Sequence, residues 1–319
     1  MASQRIEALP LAHLRCVGGG RFRMRRWAHR TQLLGRLFVL SAMACRPSGE
    51  RSGSSGITVT DDAGRVVRLA PPARRVVSLA PSITELLFAL GAGGEVVGRT
   101  AYCQYPPAAK RVPSVGDGLN PNIEAIVARQ PDLVLLYRSP HTEAAARQLE
   151  ALGIATLMLR HDRLEDVART ARLLGRVTGH VPAGAAVARE IEALLAAPPN
   201  PPAARIVYIV WDNPPIVIGG GSFLDELARL AGATNVFRDI AAPSATVSIE
   251  VIAERDPDWI ALLRDTLTTP LPAWTGRPEW RTVRAVRERR FLPLQAELFG
   301  QPSPRAPEAV AVLRRALAP

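Results

Sequence analysis

The sequence predicts an α/β protein of two lobes, each with a central parallel-type sheet covered by helices, joined by one long rigid helix and leaving a cleft between them. Three observations carry this expectation. Short apolar strands alternate with helical patterns in both halves of the 319-residue chain, as they do where helices cover both faces of a parallel sheet. The middle, residues 163–197, carries helical patterns and no strand signal. The halves also repeat each other: NIEAIVARQPDLVLL at 122–136 lies over SIEVIAERDPDWIAL at 248–262, pairing Ile123 with Ile249, Glu124 with Glu250, Ile126 with Ile252, Arg129 with Arg255, Pro131 with Pro257 and Asp132 with Asp258. Such a repeat is the sequence mark of two units of like topology.

Taken in order, ITVTDDAGRVVRL at 57–69 alternates around a DDAG turn and reads as a β-hairpin. A buried strand at Val76–Leu79 turns at Pro81 into a helix, where Ser82 and Glu85 have the spacing of a capping box. Strands follow at Val96–Gly98, Leu133–Leu136 and Ala155–Leu159, with helices over 122–129 and 141–151. The central helical pattern breaks near His180, Val181 and Pro182, and its second part, about 183–197, stops at PPNPP because proline cannot continue a helix. RIVYIVW opens a new strand at 205, and RVVSL…SITELLFAL has its counterpart in RIVYI…SFLDELARL, with Ser82 and Ser222 each three residues before an acid. Gly219–Gly221 lacks the lysine and the spacing of a phosphate cradle and reads as a loop before a capped helix. The resulting organisation is a leader over 1–45, a Ser/Gly-rich flexible tether over 46–56, an N-terminal lobe over 57–163, a helical linker over 164–202 and a C-terminal lobe over 203–319.

Composition narrows the function classes. Hydrophobic residues at 47% and charged residues at 22% are ordinary for a globular chain. The net charge of +11 is concentrated in residues 1–46, where nine arginines face Glu7 alone; the remaining charges are mixed rather than gathered into a basic stripe, which argues against a nucleic-acid partner. Three cysteines, Cys16, Cys45 and Cys103, build neither a disulfide framework nor a zinc site. There is no G-x-S-x-G elbow, P-loop lysine or H-E-x-x-H, and His141, His161 and His180 fall in different elements, so no enzyme chemistry and no resident cofactor is expected.

Arg25, Arg26, Arg30 and Arg36, then the apolar run Leu37–Ala44, lead to Cys45. This resembles a bacterial lipoprotein signal, with Met24 an alternative start, and implies lipidation of Cys45 and a periplasmic or cell-surface protein held to the membrane by lipid alone. Eight apolar residues fall short of the ~20 needed to span a bilayer.

Aromatic residues are only 5% of the chain, so their positions carry weight. Tyr102, Tyr105, Trp211 and Phe299, with Pro81 and Asn213, fall after strand ends, where open α/β sheets bind ligands. Flat rings with a polar edge suit a large flat ligand. Trp259 reads as core, and Trp274 and Trp280 as packing for a helix of the second lobe.

RVVSLAPSITELLFALGAGGEVVG, YPPAAKRVPSVGDGLNPNIEAIVARQPDLVLL, LEALGI and PSPRAPEAVAVL, in that order across residues 57–319, resemble the helical-backbone periplasmic substrate-binding proteins of ABC importers for cobalamin, haem and ferric siderophores. The YPP, VPSVG and NIEAIVARQPDLV segments are most similar to the cobalamin binders. The resemblance implies a monomer with an interlobe ligand cleft involving Tyr105 and Trp211, and a permease dimer docked on one acid per lobe, here Glu124 and Glu250. Where that subgroup carries further tryptophans, this chain has Gly118 and Ser244. A corrinoid is the first ligand implied. The alternatives are haem, with Tyr102, Tyr105 or His141 as axial ligand; a ferric siderophore met by Arg99, Arg138 or Arg305; or, outside the class, a corrinoid- or metal-handling enzyme on the same frame.

Overall fold

The computed structural model describes residues 56–198, 204–268 and 270–318. The leader, with Cys16 and Cys45, and the tether up to residue 55 lie outside the described residues. Among the described residues no helix is long and apolar enough to cross a membrane.

The N-terminal lobe opens with the hairpin β1 (Ile57–Thr60) and β2 (Val66–Leu69), paired antiparallel. Asp61 caps its turn by accepting from the Ala63 and Arg65 amides, and Gly64 takes the left-handed φ of 79° that the turn requires. The sheet consists of β3 (Val76–Ser78), β4 (Val96–Arg99), β5 (Leu133–Tyr137) and β6 (Ala155–Leu159), all parallel, in the order β4-β3-β5-β6. Val76, Val77 and Leu133 through Leu136 are fully buried because helices cover both faces. Those helices include α1 (Pro81–Ala89), α2 (Ile123–Val127) and α3 (Pro140–Ala151).

The capping box expected at Ser82 and Glu85 does not form. Helix α1 starts two residues earlier, with Ala80 as its cap residue and Pro81 at the first helical position, where a missing N–H costs nothing. Ser82 and Glu85 are therefore inside the helix and buried.

The linker comprises α4 (Leu164–Thr178) and α5 (Val181–Ala196). Helix α4 ties the lobes together: at its start the Leu164 amide donates to Glu226 of the second lobe, and at its end the Val177 carbonyl accepts from Ala73 of the first. Helix α5 folds back along α4 after Gly179, whose φ of 80° ends α4 in a left-handed cap. The two helices meet at glycines; a Cβ on Gly184 would lie 2.4 Å from the Ala171 carbonyl oxygen.

The C-terminal lobe runs β7 (Ala204–Asp212), β8 (Pro215–Ile218), α6 (Phe223–Ala231), β9 (Ala233–Asn235), β10 (Ser244–Thr246), α7 (Ile249–Glu254), β11 (Trp259–Arg264), α8 (Arg284–Arg287), β12 (Phe291–Gln295), α9 (Ala296–Phe299) and α10 (Ala306–Ala316). Its sheet has the order β10-β8-β7-β11-β12, with β9 also on β7. The parallel part, β9, β7, β11 and β12, answers the first lobe. Strands β8 and β10 are antiparallel, which the sequence reading missed: the two residues Asn213 and Pro214 are too short a link for anything but a hairpin return. Ser222 caps α6, accepting from the Leu224 amide at 3.2 Å. Glycines 219 to 221 press against the 238–242 backbone, each with room for a Cβ only 2.1 to 2.3 Å from a carbonyl oxygen, so they serve close packing of the loop. Trp280 is fully buried with its ring centroid 4.2 Å from that of Trp274, and half-buried Trp259 packs against the main core.

The internal repeat is a structural one. Asn122 and Ser248 each cap their short helix by accepting from the amide three residues on. Ile126 and Ile252 are fully buried, and Gln130 and Asp256 both adopt positive φ at the turn into the strand. In each lobe an aspartate then clasps the start of the neighbouring strand: Asp132 accepts from the Arg75 amide and Asp258 from the Arg205 amide, while each aspartate amide donates back to the same arginine's carbonyl.

Candidate functional site

Strand ends of both lobes face one cleft. On the N-terminal side a recess of ≈ 380 Å³ lies beyond β3 and β6, lined by Leu79 through Ser82, Thr100, Tyr102, Asp117 through Leu119, Tyr137 and His161, and closed from the second lobe by Gly300 through Pro302. It shares Pro81, Tyr102, Gly300 and Gln301 with a recess of ≈ 290 Å³ that adds Gln104, Tyr105, Asp265, Ala296 and Glu297. Asp265 connects that space to a third recess of ≈ 350 Å³ beyond β7 and β11, lined by Trp211, Asp212, Arg264, Pro272 and Trp274 among others.

Pro81, Tyr102 and Tyr105 line the second recess and Trp211 the third. Tyr102 and Trp211 leave 68% and 59% of their surface uncovered by the described residues. Trp211 is held by its own turn, the indole Nε1–H donating to the Asn213 carbonyl at 2.9 Å. Asn213 itself lines none of these three recesses; its carbonyl only holds the Trp211 indole. Phe299 is corrected: it is fully buried in the core, because α9 turns its ring inward and presents Gly300 and Gln301 to the cleft instead.

Two of the three arginines considered as anion contacts are committed elsewhere. Arg99 is buried and donates to the carbonyls of Ala109, Thr100 and Lys110. Arg305 donates through Nε to Glu85 at 2.6 Å and lies 3.5 Å over the Tyr105 ring. Arg138 is exposed. The cleft lining holds the carboxylates of Asp117, Asp212, Asp265 and Glu297 with Arg264, while Arg277 pairs with Asp212 at 2.9 Å and Arg305 with Glu297 at 3.6 Å.

His161, which the sequence leaves apart from the other histidines in a separate element, lines the first recess. It is 3% exposed, neither ring nitrogen has a hydrogen-bond partner among the described residues, and burial pushes its pKa down to about 4. Nearby, Tyr137 donates to Asp162 at 2.6 Å, and its own burial, then that hydrogen bond, raises its pKa to about 12. Asp265 and His161 had a signal available, since each lies just past a strand; Gln301, which follows helix α9, had none. Gly118 fits the floor because a Cβ there would sit 2.3 Å from the Leu79 carbonyl oxygen; this backbone position admits no tryptophan.

Glu124 and Glu250 occupy equivalent second positions of α2 and α7 and are both exposed. Glu250 is held below the ordinary glutamate range, first by a hydrogen bond from the Ser248 hydroxyl.

The comparisons agree with this architecture. The periplasmic binding protein family profile matches residues 76–298, and the chain belongs to that family, the substrate-binding proteins of ABC importers. It is 28% identical over 240 residues to the vitamin B12-binding protein of Vibrio vulnificus strain CMCP6, covering 74% of this chain and 87% of that one. It is 33% identical over 192 residues to the vitamin B12-binding protein of Salmonella typhimurium, covering 59% and 71%. Among solved structures it is similar to the periplasmic vitamin B12 binding protein of Vibrio cholerae, with a TM-score of 0.63 at 27% identity over 77% of this chain and 97% of that one. The apo haem-binding protein RhuT from Roseiflexus sp. RS-1 gives 0.65 at 25% identity, over 77% and 100%.

Proposed function

We propose that this protein captures a cobalamin-like corrinoid in the interlobe cleft and delivers it to the permease dimer of an ABC importer, the permease engaging Glu124 and Glu250. The carrying observation is the charge and shape of the lining. The exposed side chains of Tyr102 and Trp211 line recesses that meet at Asp265, and the carboxylates of that lining outnumber its arginines. A corrinoid offers a broad apolar ring edged with carboxamide N–H donors, which those carboxylates can accept from. Haem propionates or an anionic ferric siderophore would enter a like-charged cleft, and such juxtaposition is a device for rejecting ligands. The B12-binding names of the relatives at 28% and 33% identity support the same reading. Its outer parts are a lipid anchor at Cys45, which lies outside the described residues, and release to the permease by small relative motions of lobes tied through α4.

Tryptophan fluorescence titration of the purified protein with cyanocobalamin, haemin and a ferric siderophore tests the ligand. Saturable quenching by cyanocobalamin at or below micromolar concentration is the expected result. No response to it alongside a saturable response to either of the others refutes the corrinoid reading.

A further inference from the structure

We infer that Arg305 is a positioning residue for ligand capture: pinned across the lobe junction to Glu85, its guanidinium sets the ring of Tyr105 that faces the cleft. The inference rests on the cleft being the ligand site.

Glu85 belongs to α1 of the N-terminal lobe and is 2% exposed. A carboxylate so deeply placed survives only with its oxygens satisfied, and among the described residues its donors come from the other lobe. Ser303 Oγ donates at 2.6 Å, Arg305 Nε at 2.6 Å and Gln301 Nε2 at 3.2 Å. Pro302 and Pro304 interrupt this donor loop and fix φ at two of its positions. The Arg305 fork is further held by Nη2 donating to the Glu297 carbonyl at 3.0 Å.

With Nε and Nη2 spoken for, the guanidinium plane has one orientation, and its Cζ stands 3.5 Å from the Tyr105 centroid. Tyr105 is the partition between two spaces. One is the ligand recess with Tyr102 and Gln301, and the other contains Glu85, Pro106 and Arg305. A partly buried cation over an aromatic face restrains the ring's tilt, so the ring that a ligand meets is oriented by a charge on the opposite lobe. Gln301 links the same two places, touching Glu85 and lining the cleft. Lysine would keep the charge for Glu85 and lose the flat fork that stacks on the ring.

The test is a double-mutant cycle for cyanocobalamin affinity with Arg305→Lys and Tyr105→Leu. Arg305→Lys should weaken binding about tenfold. In the Tyr105→Leu background the same change should cost less than about twofold, since a residue acting through another is non-additive with it. Equal costs in both backgrounds, or an unweakened Arg305→Lys protein, overturn the inference. A ligand-free measurement separates this from the corrinoid reading. With 3-fluorotyrosine at position 105, the ¹⁹F resonance should shift in Arg305→Lys and in Glu85→Gln, and an unmoved resonance overturns the inference whatever the protein binds. If cyanocobalamin fails while the resonance shifts, the ligand assignment falls and the positioning role stands. Thermal unfolding of each variant identifies any that lose the fold; Arg305→Lys, which retains the ion pair, is the variant on which the outcome rests.

Discussion

Replacing His161 with leucine should remove a pH dependence of stability that the folded protein builds in by burying an imidazole without a partner. The side chain is 3% exposed, neither ring nitrogen is hydrogen-bonded to any described residue, and burial, outweighing the nearby Asp166 carboxylate, lowers its pKa from 6.5 to about 4. Since the folded value lies below the unfolded one, the unfolded chain takes up a proton that the folded chain refuses as pH falls from 6.5 to 4. Stability is therefore fully present above pH 6.5 and declines through that window. At ~1.4 kcal/mol per pKa unit the loss is about 3 kcal/mol, or roughly 6 to 12 °C in Tm for a protein of this size. Burial also pushes Asp166 upward, but the Asp162 amide and the Arg169 guanidinium hold it below the ordinary range, so it stays ionised through the window and does not mimic the effect. Calorimetric unfolding at half-unit steps from pH 7 to 4 is the assay, with His161→Leu beside the natural protein. The leucine variant should be flatter across the window and at least as stable at pH 4.5, because an apolar group replaces an unsatisfied polar one. A natural protein whose Tm does not fall between pH 6.5 and 4.5, or a variant with the same slope, refutes the reasoning.

Trp211→Ala removes a ring with more than half its surface open to the cleft; at ~25 cal/mol per Å² for the portion a ligand covers, cyanocobalamin affinity should fall by about 2 kcal/mol, or roughly 30-fold, by titration calorimetry. A loss below about threefold would remove Trp211 from the site. Gly118→Ala forces a methyl group toward the Leu79 carbonyl, and overpacking of this kind costs about 1 to 3 kcal/mol, read as a lower thermal midpoint together with weaker ligand binding. Reversing both Glu124 and Glu250 to lysine should leave ligand affinity unchanged while abolishing stimulation of the importer's ATPase in proteoliposomes. Retained stimulation would leave these acids only the favourable helix-dipole contact that any first-turn carboxylate makes.

Local chemistry was legible in the sequence wherever neighbours along the chain decide it. The hairpin at 57–69, the alternation of strands and helices, the break at 179–182 and the repeat around Glu124 and Glu250 all follow from periodicity, turn residues and caps. The strand-end rule also singled out Pro81, Tyr102, Tyr105 and Trp211, which line neighbouring recesses that meet at Asp265. Contacts between distant segments were not legible. Glu85 has the spacing of a capping residue, yet its partners are 216 to 220 residues away in the other lobe. Phe299 looked like a cleft aromatic until the turn of α9 put it in the core, and Arg305 looked like a free cation until Glu85 claimed it. The sequence alone thus determined the two-lobed α/β plan and its repeated acids, because hydrophobic period and backbone capping act over a few residues. Only the tertiary structure decided which charges face the ligand, because pairing a buried charge depends on what packing brings within about 3 Å of it.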